Sequence, residues 1–141
     1  MPSAAFEASL PFVLRWEGGF VDHPNDPGGR TNKGVTQKVY DAWRKRQGLP
    51  ARDVKRLDDT ELHRIYESGY WIPPHCDRLA RQLDLVHFDT AVNMGPGRAV
   101  RFLQKAAGCG VDGDFGSQTE KAVQACRPGD LIASYCATRE A

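Results

Sequence analysis

Three carboxylates, Glu17, Asp22 and Asp26, fall close together in the run Trp16-Glu17-Gly18-Gly19-Phe20, then Asp22-His23-Pro24-Asn25-Asp26-Pro27-Gly28-Gly29-Arg30-Thr31-Asn32-Lys33-Gly34-Val35-Thr36. Two carboxyl groups in unlike surroundings do acid/base work: one, kept protonated, gives its proton to a leaving oxygen, while an ionised partner acts from the opposite side. Glycoside hydrolysis is the chemistry that asks for this pair. Phe12, Trp16 and Phe20 are the apolar neighbours that would raise the pKa of Glu17 by desolvation. A single Glu-Gly-Gly reads as a solvated glutamate before a helix stop, and an aspartate in a turn reads as turn chemistry. The weight therefore lies in their combination.

Elements must bring these groups together. Phe6, Leu10, Val13 and Leu14 recur at i, i+4, i+7 and i+8, which marks one buried face of an amphipathic helix running up to Trp16. Gly18-Gly19 is its stop, so Glu17 belongs to the last turn. Pro11 fits best in a first turn, which puts the regular start near Ala8. From Asp22 to Thr36 the Pro, Gly and Asx residues make tight turns and short strands. That hairpin can fold back over the helix end and face Glu17 with Asp22, Asp26, Thr31 and Thr36.

The rest reads as helices. Asp41 to Gln47 is a short helix with Tyr40 and Trp43, and Thr60 opens another that runs toward Tyr70-Trp71 and ends at Ile72-Pro73-Pro74. Leu79, Leu83, Val86, His87, Thr90 and Met94 share a helix in which His87 reads as a core histidine. Asp89 and Asn93, one turn apart, are hydrogen-bonding partners, and Asn93 is also a candidate substrate contact. Gly95-Pro96-Gly97 breaks the chain before a helix from Arg98 to Ala107, whose Arg98, Arg101 and Lys105 lie opposite Ala99, Phe102, Leu103 and Ala106. Asp112-Gly113-Asp114-Phe115-Gly116 departs from the calcium-loop order and reads as a turn. It feeds a helix capped by Ser117 with Glu120.

Several matched segments, taken in order, carry a resemblance. Glu17-Gly18-Gly19-Phe20, Asp26-Pro27-Gly28-Gly29, Thr31-Asn32 and Gly34-Val35-Thr36 resemble the N-terminal signature of the glycoside hydrolase family 108 N-acetylmuramidases of phage endolysins and related bacterial lysozymes. Tyr66, Tyr70-Trp71, Phe88-Asp89-Thr90-Ala91-Val92-Asn93-Met94-Gly95, Leu103-Gln104 and Val111 to Gly116 with Thr119 resemble that family's predicted peptidoglycan-binding segment. The resemblance implies Glu17 as general acid, Asp26 as the carboxylate that orients water, with Asp22 as its alternative, and Thr31 as helper, with Thr36 as its alternative. The Glu, Asp, Thr order of phage-type lysozymes places its Thr one position later, where this chain has Asn32. Asp22, Thr36, Tyr70 and Asn93 are the implied substrate contacts. The implied fold is mainly α (α+β), lysozyme-like and two-lobed, with a small β-hairpin beside the catalytic helix. Residues 1–72 would form the catalytic part and 73–141 a helical lobe, with the cleft between them.

Composition agrees. A chain of 141 residues is one domain with a sizeable core. A net charge of +1 gives no basic field of the kind nucleic-acid binders use. No apolar run reaches membrane-span length. Cys76, Cys109, Cys126 and Cys136, with His23, His63, His75 and His87, lack metal-site spacing, so no metal or cofactor is expected and the thiols are expected to be reduced. The expected partner is bacterial peptidoglycan, bound by a monomer. Met1 to Ala5 lacks the features of a secretory signal, so a holin or similar release factor would be needed for a cytoplasmic product to reach the wall. Family members usually continue through a further aromatic and basic segment beyond the equivalent of Leu131 to Ala141.

Overall fold

Phe6, Leu10 and Val13 set the first helix, α1 (Ala4–Leu14), and all three are buried. In this computed structural model, which describes residues 4–15, 17–22 and 30–140, α1 begins at Ala4 rather than near Ala8, and Pro11 sits in its interior. An interior proline costs about 3 kcal/mol. The earlier turn offsets it, because Phe6 is fully buried with ring centroids 5.6 Å from both Trp71 and Phe88. Such a ring contributes about 1.5–3 kcal/mol by burial, and each edge-on aromatic contact about 0.5–1.5 kcal/mol more.

The chain divides into two units, residues 10–65 and residues 1–9 with 66–141. The first holds a three-stranded antiparallel sheet of β1 (Phe20–Asp22), β2 (Arg30–Asn32) and β3 (Val35–Thr36), in that order. Lys33 and Gly34 join β2 to β3 with φ of 50° and 82°. Two positive φ values in a two-residue loop make a type I′ turn, whose twist matches the strands. Behind it α2 (Gln37–Arg46) starts four residues before Asp41, because the Thr36 hydroxyl caps the Val39 amide at 3.1 Å.

Next, α3 (Asp59–Tyr66) is opened by Asp58 rather than Thr60. The Asp58 carboxylate accepts from the Glu61 amide at 2.8 Å, and Glu61 accepts from the Asp58 amide at 3.2 Å. This is a capping box whose Glu also serves the core. Glu61 takes Arg44 at 2.8 Å, the Tyr40 hydroxyl at 2.6 Å, and Arg52. Burial pushes the Glu61 carboxyl up, but bonds from Tyr40, the Asp58 backbone and Arg44, with the Arg52 charge, together hold it below the usual glutamate range.

In the second unit α3 gives way to a π-helical turn (Glu67–Trp71), and the chain leaves it at Ile72-Pro73. Then come α4 (Leu83–Met94), α5 (Pro96–Ala107), α6 (Ser117–Ala125) and α7 (Pro128–Glu140). Leu79 precedes α4, at the end of a 3-10 turn, yet joins Leu83, Leu103, Val123, Leu131 and Tyr135 in the core. His87 is indeed a core histidine, held by the Tyr135 hydroxyl at 2.7 Å and the Pro74 carbonyl at 2.9 Å. Ser117 does not cap α6, whose N-cap is Gly116, and Glu120 instead faces Arg78 at 3.6 Å. Gln104 does the organising there. Its amide nitrogen donates to Asp112, the Asp114 carbonyl and Thr119, and its oxygen accepts from the Asp112 and Gly113 amides.

Candidate active site

Glu17 lies just past α1 rather than on its last turn, with its amide donating to the Leu14 carbonyl at 3.0 Å. Neither Gly18 nor Gly19 has positive φ, so neither is a left-handed helix cap. Among the described residues, a Cβ at Gly19 would meet nothing within 4 Å, and one at Gly18 only the Val21 methyl at 3.9 Å. The half-buried Glu17 carboxylate makes no hydrogen bond or ion pair with the described residues.

The expected apolar surround is only partly present. Phe12 is 53% exposed, with the Arg15 guanidinium 5.6 Å from its ring. The Phe20 ring carries Arg30 at 4.9 Å and Lys55 at 5.5 Å. Helix phase explains Phe12, since Leu10 and Val13 face inward and the residue between them on the opposite side must face out. Trp16 and Asp26 lie outside the described residues.

Register sorts the remaining candidates. Val21 opposes Thr31 and Thr31 opposes Thr36, so these three share one face of the sheet. By alternation Phe20, Asp22, Arg30, Asn32 and Val35 share the other. Asp22 therefore points away from the threonines. Its carboxylate is committed to Arg30 at 3.1 Å, and the same guanidinium bonds Asp53 at 2.7 Å. The Lys55 amide and then Arg30 hold the Asp53 carboxyl below the usual range. The Thr36 hydroxyl is committed to capping α2. The Thr31 hydroxyl, half-buried, bonds none of the described residues.

Tyr70 and Asn93 belong to the second unit. The Tyr70 ring centroid lies 5.6 Å from that of Tyr66. The exposed Asn93 amide donates to the Asp89 carbonyl at 2.9 Å and carboxylate at 3.1 Å, the helix-locking pair expected from their spacing. Asp89 also takes Arg139 at 3.1 Å.

Two features were not anticipated from the sequence. One is the buried cluster of Tyr40, Arg44, Arg52 and Glu61, for which the Asp58 to Glu61 capping spacing was the available signal. The other is Asn32, 7% exposed, whose amide donates to the Val54 carbonyl at 3.0 Å and the Lys55 carbonyl at 3.4 Å. Its place beside Thr31 was visible in the sequence, but its partners, more than twenty residues on, were not.

A family model described as Glycosyl hydrolase 108 matches residues 10–95, more than half of the chain. Among solved structures, that of Brucella abortus SagA matches with a TM-score of 0.81 and 38% identity, over 95% of this chain and 76% of that one. A search of curated proteins finds no match.

Proposed function

The chain belongs to the glycosyl hydrolase 108 family, and from that premise we propose that it is a peptidoglycan hydrolase of the lysozyme type, an N-acetylmuramidase. The bond cleaved is the β-1,4 linkage between N-acetylmuramic acid and N-acetylglucosamine. Its mainly helical, lysozyme-like fold, with a small antiparallel sheet beside the Glu17 segment, suits a polymer that must lie along the surface while one bond is cut.

Glu17 protonates the glycosidic oxygen as the bond to the muramic acid carbon breaks. Asp26, helped by the Thr31 hydroxyl, holds the water that attacks from the other face of the sugar. A water between the two carboxyl groups requires them to be roughly 6.5–9.5 Å apart and inverts the anomeric carbon.

One observation carries this reading. Of the four candidates that are described near the sheet, Glu17 and Thr31 keep uncommitted polar atoms, whereas Asp22 and Thr36 spend theirs on Arg30 and on the α2 amide. A general acid contributes about 10² to 10⁴ in rate. Glu17→Gln should therefore lower muropeptide release by at least about two orders of magnitude while leaving circular dichroism and wall binding unchanged. Mass spectrometry of the unmodified enzyme's products should show reducing-end muramic acid. Near-normal lysis by Glu17→Gln would remove Glu17 from its role. Mainly anhydro-muropeptides would mean a transglycosylase, which uses the acid without the water.

A further inference from the structure

Thr31 lies on a strand of only three residues, and a strand that short does not hold a hydroxyl in place by its ladder alone. What holds β2 is its other face. Asn32 inserts its amide between the Val54 and Lys55 carbonyls, at 3.0 and 3.4 Å, and Arg30 reaches Asp53 at 2.7 Å. The receiving segment is a 3-10 turn (Val54–Arg56) with its own lock: Asp53 accepts from the Lys55 amide at 3.0 Å. Gln37 donates to the Arg52 carbonyl at 2.8 Å and accepts from the Val54 amide at 2.7 Å. The 52–55 backbone is thus fastened to both β2 and the start of α2.

We propose that Asn32 is a positioning residue for the Thr31 hydroxyl: by docking β2 on the Val54 and Lys55 carbonyls it sets the depth at which Thr31, on the opposite face, meets the attacking water. The inference rests on the muramidase reading above. The physical reason is the two-sided geometry. Asn32 is buried and its two donor contacts are to backbone, so β2 cannot slide along or lift from the 3-10 turn without leaving those carbonyls and the amide unpaired. The residue one step along the strand inherits that constraint with the opposite orientation. Misplacement of a water-orienting group by a fraction of a bond length lowers the chemical step without changing how the polymer binds. An aspartate at 32 would keep the shape, remove the donor, and set a carboxylate against two carbonyl oxygens.

A double-mutant cycle on the full chain tests this, with soluble uncross-linked peptidoglycan strands as substrate. Asn32→Ala should lower kcat about tenfold with KM nearly unchanged, Thr31→Ala should do the same or more, and the double variant should be no slower than Thr31→Ala alone, as expected of groups that act as a unit. A merely structural asparagine would instead lower the folded fraction and multiply with Thr31→Ala. Asn32→Ser is the milder variant if Asn32→Ala does not fold. On the unmodified protein, NMR should show the Asn32 side-chain amide protons exchanging slowly with water. Free exchange of those protons, a kcat for folded Asn32→Ala close to normal, independent effects in the cycle, or an unchanged Thr31→Ala each overturns the proposal. Glu17→Gln, measured alongside, separates the cases: if it stays active the muramidase assignment fails, and if it is inactive while the Asn32 cycle is additive only the positioning role fails.

Discussion

His87 makes the stability of the second unit depend on pH. Its Nε2 faces the Pro74 carbonyl, which can only accept, so Nε2 carries the proton, and the neutral ring's Nδ1 takes the Tyr135 hydroxyl proton at 2.7 Å in preference to the Ala99 carbonyl at 3.2 Å. Burial pushes its pKa from 6.5 down to about 4, with the Pro74 carbonyl opposing and the His75 charge adding to the fall. The folded state therefore keeps this histidine neutral where the unfolded chain protonates it. Stability is complete above pH 6.5 and is lost as pH falls toward 4. The full difference is about 3 kcal/mol, of which roughly 2.5 kcal/mol is gone by pH 4.5. For a chain of this size that is a drop in Tm of about 8 °C. The carboxylates titrate in the same range, so the measurement is a difference: thermal melts of the unmodified protein and of His87→Gln, followed by circular dichroism from pH 7.5 to 4.5. Gln keeps one donor and one acceptor but takes no proton. The gap between the two melting curves should close, or reverse, as pH falls. A gap that is constant across the range would refute the assignment of a neutral, desolvated imidazole.

Glu61→Ala leaves Arg44, whose side chain is 8% exposed, without its carboxylate. It should destabilise the first unit by about 3–5 kcal/mol in urea unfolding. Asp22→Asn removes an exposed pair with side chains 38% and 44% exposed. It should change stability by at most about 1 kcal/mol and leave muropeptide release in the normal order of magnitude, in contrast to Glu17→Gln. A loss equal to that of Glu17→Gln would return Asp22 to the catalytic pair.

What could be read from the chain was decided by how local each cause is. The buried side of α1, the stop before Pro73 and the Asp89 to Asn93 lock depend on neighbours a turn away, and each is found where its spacing puts it; the break expected over Gly95-Pro96-Gly97 is Gly95 alone, because Pro96 takes the first position of α5, where its missing N–H leaves no bond unmade. At α3 the cap falls to Asp58 rather than Thr60, and at α6 Ser117 is already the first helical residue, so Gly116 stands at the N-cap with no side chain to fill it. Pro11 sits in a helix interior because the compensating contacts of Phe6 are with Trp71 and Phe88, far along the sequence. For the candidate site, residue types named Glu17 and Thr31. Separating Asp22 from the threonines needed strand register, since one step along a strand reverses the face.

The bonds of Gln104 reach only eight residues to Asp112 and fifteen to Thr119, whereas His87 meets Tyr135 across 48. Closing the shorter loops takes on the order of 10–100 ns, so the corner between α5 and α6 can assemble as soon as both exist. During synthesis it forms before α7 has emerged. Leu103 and Val123 then wait in water, as a nascent apolar surface, until Leu131 and Tyr135 arrive to cover them. In that interval the growing chain is most open to association with its own copies.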